Sequence, residues 1–156
     1  MAQLDRTLIP YTESTGNNCA LCYVEFTLLD TGQMQVEVVN AGGVPPYIRR
    51  QDGTVTWVDA FGLPLGTGLG AEVGYQAITH QLQAGDMLIL TSDGVAEAHT
   101  AGQPLFGFDR LHKTIQTGPT HNTTAMLSHL QYDIADYVDN MELPDDMTIV
   151  IVQLAT

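Results

Sequence analysis

Met87-Leu88-Ile89-Leu90-Thr91-Ser92-Asp93-Gly94-Val95 decides how this chain folds, together with Leu143-Pro144-Asp145-Asp146-Met147-Thr148-Ile149-Val150-Ile151-Val152. An apolar run enters an acidic turn in the first stretch and leaves one in the second. Such runs read as strands buried on both faces. Their carboxylates then sit at the rim of a core. If the two strands are neighbours, Asp93 and Asp145 converge. Two ionised carboxylates about 4 Å apart repel by roughly 4 kcal/mol at an effective dielectric near 20. A shared proton or a cation removes that cost. Oxygen ligands without a Cys/His cluster favour Mg²⁺ or Mn²⁺ over zinc.

A plainer reading stands beside this one. Asp-Gly is a strong hairpin signal, and Asp52-Gly53 is an ordinary case in the same chain. Acidic loop clusters are often solvated and nothing more. Spacing alone leaves both readings open.

Further motifs follow in a fixed order: Asn40-Ala41-Gly42-Gly43-Val44-Pro45-Pro46, Gly62-Leu63-Pro64-Leu65-Gly66, the run from Leu82 to Ala98, Gly102-Gln103-Pro104-Leu105-Phe106-Gly107, and Asp145-Asp146-Met147-Thr148-Ile149. Over roughly residues 19–153 this series resembles the later part of the PP2C-type phosphatases of the SpoIIE/RsbU branch, the bacterial partner-switching serine phosphatases. The resemblance implies an α+β fold, a PP2C-like antiparallel β-sandwich flanked by helices. It implies a metal-dependent phosphoserine/phosphothreonine hydrolase of the cytoplasm. The implied substrate is a phosphorylated regulatory protein such as a STAS-type anti-sigma-factor antagonist, and the implied full-length protein has an upstream sensory or receiver domain. Asp93 and Asp145 match the family's metal-binding, catalytic aspartates, and Asp146 fills the adjoining acidic position. The complete domain is expected to hold two Mn²⁺ or Mg²⁺ ions, whose bound water attacks phosphorus in line.

Two departures qualify the match. The family's metal-bridging aspartate lies in an Asp-x-x-Gly-His-Gly stretch, which this chain lacks; Asp5, in Gln3-Leu4-Asp5-Arg6-Thr7, has no such glycines. Gly43 stands where the family commonly has His, so Asn40 to Pro46 is read as a structural turn. The expectation is therefore one partial domain over residues 1–156, with the N-terminal strands missing. Missing strands expose sheet edges and apolar surface, which predicts a homo-oligomer. The rival reading is an inactive phosphatase-fold module that docks a regulator.

Composition narrows the partners. The 156 residues are 44% hydrophobic, as in ordinary globular domains, with a net charge of −13 and five Lys and Arg. So few cations argue against nucleic acid and against anionic membrane surfaces. No apolar run is long enough to span a bilayer. The charge repels a phosphorylated substrate at long range, and a bound cation reverses that locally. Cys19 and Cys22 lie in a strand signal, on opposite faces by period two; two buried thiols are expected rather than a redox pair.

Strands are expected at 19–29, 33–40, 46–51, 54–59, 73–81, 86–92 and 147–154, with turns at Asp30-Thr31-Gly32, Gly42-Gly43 and Asp52-Gly53. Residues 2–9 read as a helix ended by Pro10. Helices are expected from Phe108 to Gln116 and from Asn122 to Asn140, the second with a core stripe through Met126, Leu127, Leu130, Ile134, Tyr137, Val138 and Met141. The glycine-rich Gly62 to Gly74 lacks a nucleotide-binding pattern, and the family resemblance implies a mobile flap beside the metal site. His99 reads as a solvated loop histidine, with a proton-donor role as the sharper alternative.

Overall fold

The computed structural model describes residues 1–139 and 146–155. They form two compact units, Met1–Pro45 with Val58–Gln81, and Pro46–Trp57 with Leu82–Thr156.

The first unit is built on the hairpin of β1 (Leu21–Leu28) and β2 (Met34–Ala41), paired antiparallel from Leu21↔Ala41 to Leu28↔Met34. Gly32, at φ 78°, closes the turn where Asp30-Thr31-Gly32 predicts it. Along β2, Val36 and Val38 are buried while Gln35, Glu37 and Val39 are half-buried, the alternation expected of one wetter face. The sheet order is β1-β2-β5, where β5 is Ala77–Leu82; the expected strand from 73 begins later because α2 (Gly70–Val73) occupies its start.

Pro10 does not end the first helix. Helix α1 runs from Ala2 to Thr15 with Pro10 inside it and Gly16 as a left-handed cap. An interior proline costs a helix about 3 kcal/mol, so contacts outside the helix must offset it. Buried Asp5 accepts the Gly66 N–H at 2.7 Å, and the Thr12 hydroxyl donates to the Gly66 carbonyl. Both turns of α1 flanking Pro10 are thereby fastened to one glycine of the loop, whose φ is 83°. Asn40 is buried too, its amide bridging Gly43 O at 2.8 Å and Ala60 O at 3.0 Å. Asn40 to Gly43 is a structural turn, as expected.

The second unit contains β3 (Tyr47–Arg49), β4 (Val55–Trp57), α3 (Asp93–Ala96), α4 (Gly107–Thr117), α5 (Thr123–Tyr137), β6 (Met87–Thr91) and β7 (Ile149–Gln153). Its sheet order is β4-β3-β6-β7, and all three pairings are antiparallel. Met87 and Ile89 of β6 pack with Leu111 and Ile115 of α4 and with Met126, Leu130 and Ile134 of α5. That is the expected helical stripe serving as core; Met141, at its far end, lies outside the described residues. Asn122 caps α5 by accepting the Ala125 N–H at 2.7 Å. β7 departs from the two-faced burial expected of it. It ends the sheet order, and Val150 is 47% exposed.

Two buried polar residues tie this unit together. Arg49 donates to the carbonyls of Ile115, at 2.7 Å, and Gly118, satisfying groups at the end of α4 that the helix leaves unpaired. Asp86 accepts from Arg50 at 2.7 Å and from the backbone N–H groups of Gln51 and Gln83 at 3.0 and 2.9 Å. Asp86 thus fixes where the turn after β5 meets the end of β3. Replacing it by Ala leaves those donors without their carboxylate and should cost about 2–3 kcal/mol. Urea denaturation monitored at Trp57, which belongs to this unit, reads that loss; an unchanged midpoint would refute the anchoring role.

Candidate functional site

The rim of the second unit's sheet is formed where β6 ends and β7 begins. The β6–β7 register runs from Met87↔Gln153 to Thr91↔Ile149. It extends one residue further, through a Ser92 N–H bond to Thr148 O at 3.0 Å. The strands flanking the two acidic turns are therefore neighbours. Asp93 lies just past the paired end of β6, and Asp146 lies just before the paired start of β7. Asp145 lies outside the described residues.

Asp93 is the first residue of α3. Its carboxylate is exposed and turned partly on its own turn, where Oδ1 accepts the Gly94 N–H at 3.0 Å. Gly94, Val95 and Ala96 behind it are buried, so the aspartate stands on a packed base. Ser92 precedes it with extended backbone at the N-cap position but makes no capping bond with its side chain. The hydroxyl instead accepts the Thr148 N–H at 3.0 Å and donates to Asp146 O at 3.3 Å. Asp146 is exposed. Thr91 Oγ1, two residues before Asp93, is buried with no hydrogen-bond partner among the described residues.

The donors at this rim are carboxylate, hydroxyl and carbonyl oxygens, the set that suits a hard divalent cation. Among the described residues no group of three or more His, Cys, Asp or Glu side chains converges. The described carboxylates do not by themselves make a complete ligand set. Mg²⁺ is commonly held by one or two carboxylates with several waters.

His99 is engaged in its own loop, with Nδ1 2.7 Å from Glu97 O. The segment from Gly62 to Gly74 belongs to the first unit and is anchored there through Gly66. Ser92, Asp86 and Arg49 were not singled out by spacing. A serine directly before an acidic helix start was the available signal for Ser92, but it reads first as an ordinary cap.

The cysteine expectation is corrected in one respect. Both thiols are free, but Cys19 is exposed and Cys22 half-buried. Cys19 precedes β1, where its backbone forms an isolated bridge to Leu65 and its side chain lies at the surface. Burial raises the Cys22 thiol pKa, which lowers its thiolate fraction near pH 8 and slows its reaction. A disulfide reagent should label one thiol quickly and the other slowly, with Cys19→Ser removing the fast phase. Equal rates for the two thiols would contradict this.

Comparison with known proteins agrees with the geometry. The profile of the family described as stage II sporulation protein E (SpoIIE) matches residues 1–155. Stage II sporulation protein E of Bacillus subtilis (strain 168) is 28% identical over 133 residues, which are 84% of this chain and 15% of that protein. Phosphoserine phosphatase RsbU of the same organism is 30% identical over 120 residues, 76% of this chain and 35% of that protein. The chain thus spans a minor part of the length of these relatives. The solved phosphatase domain of SpoIIE from Bacillus subtilis, presoaked with Mn, superposes with a TM-score of 0.66 at 22% identity, covering 97% of this chain and 64% of that one. At that identity the likeness establishes the fold, which is that of the PP2C phosphatase domains, with mixed helices and antiparallel sheets.

Proposed function

Because this chain belongs to the stage II sporulation protein E (SpoIIE) family of PP2C-type phosphatases, we propose that it hydrolyses phosphoserine or phosphothreonine on a regulatory protein, using a divalent metal held by Asp93, Asp145 and Asp146. The observation that carries the proposal is the β6–β7 register, which sets Asp93 beside the segment containing Asp146 although the two are far apart in sequence. The kinship with a phosphoserine phosphatase supports the reaction class. A STAS-type antagonist is the substrate class proposed, with an upstream sensory or receiver domain controlling access and the cytoplasm as the setting. No helix among the described residues is long and apolar enough to cross a membrane.

Mn²⁺ or Mg²⁺, when bound, supplies a Lewis acid that lowers the pKa of water and offsets charge on phosphoryl oxygens. The chain's own part is to hold and orient. Asp93, on the rigid base of α3, presents a carboxylate that is free to face solvent. The segment from Asp146 to Thr148 is held against β6 by backbone and serine hydrogen bonds, which keeps the Asp146 backbone near Asp93. Concentrated carboxylates on a chain of net charge −13 repel a phosphorylated protein, so the cation is required for substrate approach as well as for chemistry.

Calorimetric titration with Mn²⁺ tests the proposal. Binding should weaken about 10-fold or more in both Asp93→Asn and Asp145→Asn, and phosphate release from a phosphoserine peptide should follow metal occupancy. Absence of binding up to millimolar Mn²⁺ would reject the metal site. Binding without phosphate release would favour the docking-module reading instead.

Self-association belongs to the same proposal. Among the described residues β1 pairs on one side only, with Tyr23 48% and Leu28 67% exposed along it. An unpaired edge with apolar side chains is a template for another strand, and a second copy of the chain supplies one. Light scattering at micromolar concentrations should give at least a dimeric mass; a monomeric mass throughout that range would count against it.

A further inference from the structure

We propose that the cleft between α4 and α5 docks a helix of a partner protein, with acidic residues along one flank and basic residues along the other. Arg110 and Lys113 of α4 receive the acidic flank, and Asp133 and Asp136 of α5 receive the basic one. This surface stands apart from the acidic rim, and no metal is needed for it.

Cations are scarce in this chain, with five Lys and Arg against 18 Asp and Glu, so where they stand is informative. Within the second unit, Arg49 is committed to the carbonyls of Ile115 and Gly118, and Arg50 to Asp86. Arg110 and Lys113, about one turn apart on α4, are left exposed, and neither pairs with a described carboxylate. Both line an open cleft of about 490 Å³, together with Asp133 and Asp136. Asp133 lies 3.8 Å from His129, and Asp136 has no ion-pair partner among the described residues. Opposite charges thus face one cleft without pairing across it.

Arg110 is held apart from those carboxylates by an aromatic ring. Its guanidinium carbon sits 4.2 Å from the centroid of Tyr137. Tyr137 is fixed in turn, donating its hydroxyl to Pro104 O at 2.7 Å and meeting the Phe106 ring at 5.4 Å. Stacking occupies a face of the guanidinium and leaves its planar N–H fork for a carboxylate. A side chain already held in place loses little freedom on binding, and Arg and Tyr are the types that dominate interface energetics. The lining also selects the occupant. Small-molecule sites are mostly apolar and enclose their ligand, whereas this cleft is open and carries four charges. A nucleic-acid strand would set phosphates against Asp133 and Asp136. A helix can present opposite charges on its two flanks, as coiled-coil helices do at their e and g positions.

The test is fluorescence anisotropy with a labelled alanine-based peptide of about 18 residues, long enough to be helical alone. It carries Glu along one flank and an equal number of Lys along the other, so the chain's net charge neither attracts nor repels it. The wild-type chain should bind it, more weakly as salt rises. Arg110→Ala should lose about 5-fold or more in affinity, and Lys113→Ala and Asp136→Asn, on opposite walls, should each weaken binding as well. All three side chains are exposed, so thermal unfolding of the variants should match wild type. A peptide of the same composition with both signs mixed on each flank should bind more weakly. Equal binding of the mixed peptide, undiminished binding by the variants, or no binding at millimolar peptide would overturn the docking site.

Discussion

The antiparallel pairing of β6 with β7 is the constraint on which the second unit depends. It joins a strand in the middle of the chain to the last strand, and it runs in register for five residues. Closing such a loop costs entropy that grows only slowly with its length. The apolar side chains of β6 offset that cost: Met87, Leu88 and Ile89 are fully buried, and α4 and α5 pack over Met87 and Ile89. The helices between the two strands are therefore consequences of the pairing as much as contributors to it. They must cover the face that the pairing creates.

A rim of carboxylates is stable at the end of that sheet because its backbone is not left to the carboxylates. The Gly94 N–H is satisfied by Asp93, the Thr148 N–H by Ser92, and the Thr148 carbonyl by the Ser92 N–H. Asp93 and Asp146 face solvent. Repulsion between them is then small in water, and in the proposed function a cation would offset it. The buried polar groups elsewhere follow a different logic. Asp5, Asn40, Arg49 and Asp86 are turned on backbone groups that secondary structure leaves unpaired, and burial without those partners would be costly. Buried polar residues in this chain fasten loops and helix ends; the exposed ones at the rim are those proposed to carry the chemistry.

Much of this architecture is legible from residue pattern. Alternation of Val36 and Val38 with Gln35 and Glu37 marks β2 and its buried face. Gly32 and Gly53 mark hairpin turns, and both have positive φ because no side chain opposes that geometry. The stripe through Met126, Leu130 and Ile134 marks the core face of α5. Pattern fails where a distant contact outweighs a local preference. Pro10 signals a helix end, yet α1 continues because Gly66 receives Asp5 on one side of the proline and Thr12 on the other. Val150 reads as buried, yet it is exposed because β7 ends its sheet, and strand order is not written in any strand's own composition. Cys19 reads as a strand residue, yet it sits before the strand and reaches solvent.

The sequence by itself determined which segments are apolar enough to be strands, where the chain turns, and that carboxylates end two of the strands. It also determined the family, because five short motifs recur in one order. Only the tertiary structure decided which strands are neighbours, and hence that Asp93 and Asp146 share one rim. It also decided that the Ser92 hydroxyl reaches across to Thr148 and Asp146, and that Asp5 anchors Gly66. The physical reason is range. Propensity and periodicity act within a few residues, whereas pairing, burial and hydrogen-bond satisfaction are settled between residues that meet only after the chain has closed on itself.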